Sequence, residues 1–312
     1  MRNAFIKAVY EQAGKDNRVY MLNADIGVFV FDDFKRDFPK RYINLGVAEA
    51  NMIGVAAGLV LSGKVPFVYT IAPFVTMRCL EQIRVDVCLQ NLNVKIVGVG
   101  AGLAYGVLGP THHAIEDIAI MRALPNMTVI SPGDPWEAYE ATKASVRHEG
   151  PVYIRLAKSG EPSLVEHRHN AFQIGKGVTL REGKDATLIA TGCMVKNALC
   201  VAQKLSCEGI NLRVINMHTI KPIDHDIILE SARDTGAIFT MEEHSVIGGL
   251  GSAVAEVLAE ESTEKVQFLR IGFKDTFCEV VGSREYLLAK HGLDVPSVSK
   301  MVANSLRGSP VQ

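Results

Sequence analysis

The sequence predicts an α/β protein built from two doubly wound, mainly parallel-sheet domains. Three observations carry that prediction. Short β-rich runs alternate with helical stretches along the chain, several runs are apolar without polar alternation, and one polar, turn-rich stretch breaks the rhythm near the middle. Near-continuous apolar runs such as Val94-Lys95-Ile96-Val97 suit strands covered on both faces, as in parallel sheets flanked by helices.

In the first half the strand-like runs are 19–23, 65–70, 94–99, 127–131 and 152–156, with helical patterns at 48–61, 75–89 and 116–124. From Lys158 to about Gly177 the pattern dissolves into Ser-Gly-Glu-Pro and then Glu166-His167-Arg168-His169-Asn170. This is the expected linker, which divides the chain into domains 1–165 and 179–312 joined by 166–178. The second half repeats the alternation, with strands at 186–191, 212–216, 237–241 and 266–271 and helices near 195–205 and 250–259.

Composition narrows the function classes. The 312 residues suffice for two cores, and a net charge of −1 with 48% apolar residues gives no electrostatic footprint for nucleic acid. Met1-Arg2-Asn3-Ala4-Phe5-Ile6 has no signal-peptide character, and the longest apolar run, 52–61, is about half a membrane span. Six cysteines form no C-x-x-C or zinc-like spacing. Cys193, Cys200 and Cys207, seven residues apart, are expected as small apolar residues on one buried helix face. A cytoplasmic enzyme acting on a small molecule, with no membrane or nucleic-acid partner, is the expectation.

The most informative stretch is Asn44-Leu45-Gly46-Val47-Ala48-Glu49-Ala50-Asn51-Met52, which leads into a helix of small and apolar residues. Glu49 is the only acid in it. A carboxylate at a helix start gains from the helix dipole, while apolar neighbours withdraw it from water. By composition alone Glu49 could equally be a first-turn charge on a surface helix.

The string Gly46 to Met52 resembles the pyrimidine-binding domain shared by transketolases, deoxyxylulose-phosphate synthases and 2-oxoacid dehydrogenase beta subunits. The resemblance implies thiamine diphosphate as cofactor, with Glu49 hydrogen-bonding a ring nitrogen of its aminopyrimidine and favouring the imino tautomer. Gly109-Pro110-Thr111-His112-His113-Ala114-Ile115-Glu116 and Arg122-Ala123-Leu124-Pro125-Asn126-Met127 resemble transketolase strings in the same order. They imply that His112 lines the substrate channel and assists proton transfer; His113 stands where relatives often have glutamine. Phe74 matches an aromatic that stacks on the pyrimidine, whereas Ile71 and Leu80 replace further aromatics. Asp25 resembles an aspartate near the cofactor. Thr219-Ile220-Lys221-Pro222-Ile223-Asp224 and the run from Met241 to Ser252 resemble the transketolase C-terminal domain, where the glycines shape structure more than they bind phosphate.

What is missing matters as much. Family members hold the diphosphate through magnesium, using a G-D-G motif. Here the only Gly-Asp pair, Gly133-Asp134, sits in a Ser-Pro-Gly-Asp-Pro turn. The resemblance therefore implies half an active site, completed by an N-terminal subunit that carries G-D-G, in an alpha2beta2 heterotetramer. The substrate side also departs from transketolase. Gly100 replaces a phosphate-binding histidine, Val107-Leu108 replaces an acidic pair whose aspartate contacts a substrate hydroxyl, and Lys158 replaces a common arginine. Arg2 and Lys158 are the remaining candidate phosphate contacts. The implied activity is transfer of a ketol or acyl unit to an aldehyde or ketone. Decarboxylating coupling of the deoxyxylulose-phosphate-synthase type is the alternative; a 2-oxoacid dehydrogenase beta subunit or a non-catalytic module fits less well.

Overall fold

The computed structural model describes residues 1–27, 29–158, 160–164 and 172–308. The first half comprises α1 (Arg2–Lys15), β1 (Val19–Asn23), α2 (Asp32–Asp37), β2 (Tyr42–Asn44), α3 (Glu49–Leu61), β3 (Val65–Ile71), α4 (Leu80–Gln82), β4 (Lys95–Val99), α5 (Asp117–Ala123), β5 (Thr128–Ile130), α6 (Pro135–Arg147) and β6 (Val152–Leu156). The second half comprises β7 (Val178–Arg181), β8 (Ala186–Ala190), α7 (Met194–Ser206), β9 (Leu212–Asn216), β10 (Thr219–Lys221), α8 (His225–Thr235), β11 (Ala237–Ser245), α9 (Leu250–Glu261), β12 (Gln267–Phe273), α10 (Arg284–Lys290) and α11 (Val295–Leu306).

Two sheets result, ordered β10-β5-β6-β4-β3-β1-β2 and β12-β11-β8-β9-β7. All pairings are parallel except β10 with β5 and β7 with β9, at opposite margins of the two sheets. The expected strands form, and every residue of β4, β6 and β8 is buried, including the polar Lys95, Arg155 and Thr187 that interrupt their apolar runs. The two-domain α/β prediction holds.

The differences have local causes. The helix expected over 75–89 is instead two π-helical stretches, Phe74–Arg78 and Ile83–Cys88, either side of the single turn α4. A widened turn shifts the side chains that follow it around the helix axis, a device common at functional sites. Cys200 and Cys207 are exposed and Cys193 is half-buried, contrary to the expected core face. The buried stripe of α7 is Met194, Val195, Ala198, Val201, Ala202 and Leu205, and the cysteines flank it. Residues 166–171 of the expected linker lie outside the described residues. Its remainder packs on both halves: Phe172 and Ile174 lie against the core of the first, Phe172 stacks on His218 at 4.4 Å and Gly177 N–H donates to Asp224 at 2.9 Å.

The two halves are joined through their interiors. The short strand β10 belongs to the second half in sequence but extends the first sheet, pairing Thr219 with Ile130 and Lys221 with Val129. Lys221 Nζ also donates to the carbonyls of Arg122 and Leu124, at 3.0 and 2.5 Å. Deeper in, Arg155 is 3% exposed and donates through Nε to Asp117 at 2.8 Å. Its Nη2 donates to Ala114 O in the first half and Glu243 O in the second, at 2.7 and 3.0 Å. Arg155→Met removes the cationic partner of the fully buried Asp117 and leaves it only the Tyr153 hydroxyl at 2.6 Å, so the unfolding free energy should fall by about 3–5 kcal/mol. Urea denaturation measures it; a loss below about 1 kcal/mol would mean that water or a rearranged donor compensates Asp117.

Candidate active site

In a parallel sheet the connections leaving the carboxyl ends of the strands form the natural binding crevice. Asp25 follows β1, Glu49 follows β2, Phe74 follows β3, Gly100 and His112 follow β4, and Lys158 follows β6. The topology thus collects the expected site residues along one edge of one sheet.

Glu49 is the first residue of α3 and is 2% exposed, although Ala48 before it supplies no side-chain cap. The helix start and a cation offset the cost of burying the carboxylate. That cation is Arg78, whose Nη1 donates to Glu49 Oε2 at 2.8 Å while its own side chain is half exposed. Oε1 has no hydrogen-bond partner among the described residues. The Arg78 guanidinium also lies 4.5 Å from the Phe74 ring centroid, a cation–π contact. Both residues come from the first π-helical stretch, so the widened turn sets the geometry around Glu49. Beside them, burial pushes the Cys79 thiol up to about 12, with the Glu49 charge adding to the shift, so this cysteine stays protonated.

Phe74 continues the cluster, its ring edge-on to His112 at 5.1 Å. His112 Nδ1 lies 3.0 Å from Thr111 Oγ1 and the residue is half-buried. Tyr105 faces His112 at 6.2 Å, and the Lys158 ammonium sits 4.9 Å from the Tyr105 ring centroid. Burial pushes the Tyr105 phenol up, with the Arg2 charge opposing it. Arg2 Nε is buried and has no hydrogen-bond partner among the described residues.

Asp25 is the exception. It is exposed, with φ of 55°, and exchanges hydrogen bonds with Asn44: Asp25 N–H to Asn44 Oδ1 and Asn44 Nδ2 to Asp25 Oδ1, both 3.0 Å. Asn44 also receives Gly46 N–H at 3.0 Å, so it ties the loop after β1 to the loop that delivers Glu49. Among the described residues no hydrogen bond or ring contact links Asp25 to the Glu49–His112 cluster. Sequence reasoning missed Arg78 and Tyr105; neither lies in a string that carried the resemblance.

His113 is 3% exposed, and burial pushes its pKa down, which favours the neutral ring. The second half supplies support. Glu243 Oε1 accepts Leu103 N–H at 2.8 Å and both carboxylate oxygens accept from Arg284 Nε at 3.0 Å, anchoring the loop that carries Tyr105 and His112. Glu242 accepts the N–H groups of Leu250 and Gly251 at 2.7 and 2.8 Å, occupying the N-terminus of α9. A Cβ on Gly249 would meet Glu242 Oε2 at 2.1 Å, so this glycine admits a carboxylate rather than a phosphate. Asp134 likewise caps α6, accepting Glu137 N–H at 2.9 Å ahead of Pro135.

Residues 1–161 match the transketolase pyrimidine-binding domain and residues 175–298 the transketolase C-terminal domain. The chain belongs to the transketolase family. The 6-deoxy-6-sulfo-D-fructose transketolase subunit SqwH of Clostridium sp. (strain MSTE9) is 42% identical over 96% of this chain and 92% of its own length. A solved split-gene transketolase, an inactive beta4 tetramer, superposes with a TM-score of 0.90 at 44% identity, covering 98% of each chain. The 1-deoxy-D-xylulose-5-phosphate synthase 1 of Geobacter metallireducens is 37% identical over 97% of this chain, which spans only 48% of that enzyme. Within the family, then, the chain is of the split type: a C-terminal subunit of a transketolase-like transferase of ketol units.

Proposed function

We propose that this chain contributes the pyrimidine-holding and substrate-channel half of a thiamine-diphosphate-dependent ketol transferase. The observation that carries the reading is Glu49, a buried carboxylate with one unpaired oxygen, sharing a crevice with Phe74 and His112. A buried acceptor next to a partly exposed aromatic ring fits the aminopyrimidine end of the cofactor. When bound, thiamine diphosphate supplies the nucleophilic carbon that accepts the ketol unit. Glu49 would hold the pyrimidine through its carboxylate and share a proton with the ring nitrogen, and Phe74 would offer it a flat apolar face. His112 takes or returns a proton at a substrate hydroxyl. Arg2 and Lys158 receive an anionic substrate group, and Asp25, held by Asn44, would add a carboxylate on the cofactor side.

The diphosphate and its magnesium belong to a separate N-terminal subunit carrying G-D-G, in an alpha2beta2 assembly in the cytoplasm. Domains 1–165 and 179–312, joined by 166–178, share the work, the first bearing the site and the second bracing it. Support comes from the absence of G-D-G in the sequence and from relatives that are themselves separate subunits. No helix among the described residues is long and apolar enough to cross a membrane. Calorimetry provides the test. The isolated chain should show no magnesium-dependent micromolar binding of thiamine diphosphate, and such binding should arise when the N-terminal subunit is added. Micromolar binding by the chain alone would overturn the half-site reading.

A further inference from the structure

Tyr105 stands at the meeting point of the substrate-side residues. Its ring packs directly on Gly100, where an added Cβ would meet ring carbons at 2.1 and 2.3 Å, and Gly100 itself has φ of 90°. Only glycine tolerates both that conformation and that approach. The ring therefore fills the side-chain space that position 100 leaves open. One neighbour of the ring is His112 at 6.2 Å, and Lys158 lies over it at 4.9 Å. The loop is braced from behind, with Leu103 N–H bound to Glu243 and Gly106 O accepting Gly282 N–H at 3.4 Å. The Tyr105 hydroxyl has no hydrogen-bond partner among the described residues, and neither does Arg2 Nε. A braced phenol with a free hydroxyl, next to the Lys158 ammonium, has the make-up of an oxyanion receptor: a neutral donor gives direction and a cation gives attraction.

We infer that Tyr105 reads the donor's anionic end group, a tetrahedral oxyanion of the phosphate-ester or sulfonate class, by donating its hydroxyl hydrogen bond alongside Lys158 and Arg2. This rests on the active-site reading above. On the other side of the same loop Val107 and Leu108 are 70% and 51% exposed and offer no polar group. Recognition at this loop therefore comes from the charged end of the substrate rather than from its middle hydroxyls.

Tyr105→Phe keeps the ring, its packing on Gly100 and its cation–π contact, and deletes only the hydroxyl. The complex reconstituted with its N-terminal subunit is assayed with xylulose 5-phosphate, with 6-deoxy-6-sulfo-D-fructose and with uncharged xylulose, using inorganic phosphate as a competitive inhibitor. A hydrogen bond to a charged group lost on substitution should raise KM for an anionic donor, and Ki for phosphate, by about tenfold or more. The kcat values should stay within about twofold, and the KM for xylulose should not move. If only the phosphate or only the sulfonate arm shifts, that arm names the natural end group. Unchanged KM on every donor, or an equal loss on charged and uncharged donors, would overturn the proposal. Glu49→Gln, run in parallel, separates the two claims: turnover retained there would sink the active-site reading itself, independently of Tyr105.

Discussion

Glu49→Gln should leave the subunit folded and competent to assemble, and should lower turnover of the reconstituted enzyme by about 10²–10⁴-fold. The amide keeps the shape of the side chain, and its carbonyl oxygen can still accept the Arg78 hydrogen bond that holds Oε2 at 2.8 Å. What it cannot do is exchange a proton with the cofactor's ring nitrogen. The loss should therefore fall on catalysis, not on stability. Thermal unfolding within a few degrees of wild type, together with the turnover measurement, checks both parts. Retention of more than about a tenth of wild-type turnover would remove Glu49 from its role.

The second large effect concerns the substrate. The reconstituted enzyme should turn over xylulose 5-phosphate with ribose 5-phosphate about 10²–10⁴-fold less efficiently, in kcat/KM, than a single-chain transketolase assayed beside it. Gly100 presents no donor, Leu108 presents no carboxylate, and Lys158 is a point charge where a guanidinium would form a fork. Each missing hydrogen bond to a charged group is worth about 1.5–3 kcal/mol, and two of them account for that range. Tyr105 restores part of the grip on the anionic end, which draws the expected loss toward the lower figure and concentrates it on hydroxyl recognition. A donor with fewer hydroxyls should lose less. Turnover of the standard pair at ordinary transketolase rates would show that the partner subunit rebuilds these contacts.

The parts of the site that were legible in the sequence are those carried by contiguous strings. Glu49 is the single acid at the start of a small-residue helix, and His112 lies inside a transketolase-like string, so the sequence names both as candidates. Arg78 and Tyr105 are not named. Arg78 reaches Glu49 across 29 residues because the chain between Phe74 and Arg78 is π-helical, which an apolar repeat does not reveal. Tyr105 belongs to none of the strings that carry the resemblance, and only the tertiary fold brings it onto Gly100. Asp25 is legible as an acid at a strand end, and the structure pairs it with Asn44.

Periodicity determined the layered α/β class, because apolar runs of about five residues with helical stretches between them can be buried only as covered parallel strands. The absence of G-D-G was likewise a fact of sequence alone. Tertiary structure decided how the halves are bound together. β10 is three residues long, too short to show a period, and its place in the first sheet follows from pairing with β5. Glu243 reaches Leu103 over 140 positions, and Arg155 meets the Glu243 carbonyl over 88. Local propensity carries no information about such distant pairs; packing brings these groups together, and desolvation then requires that each buried charge and amide find its partner.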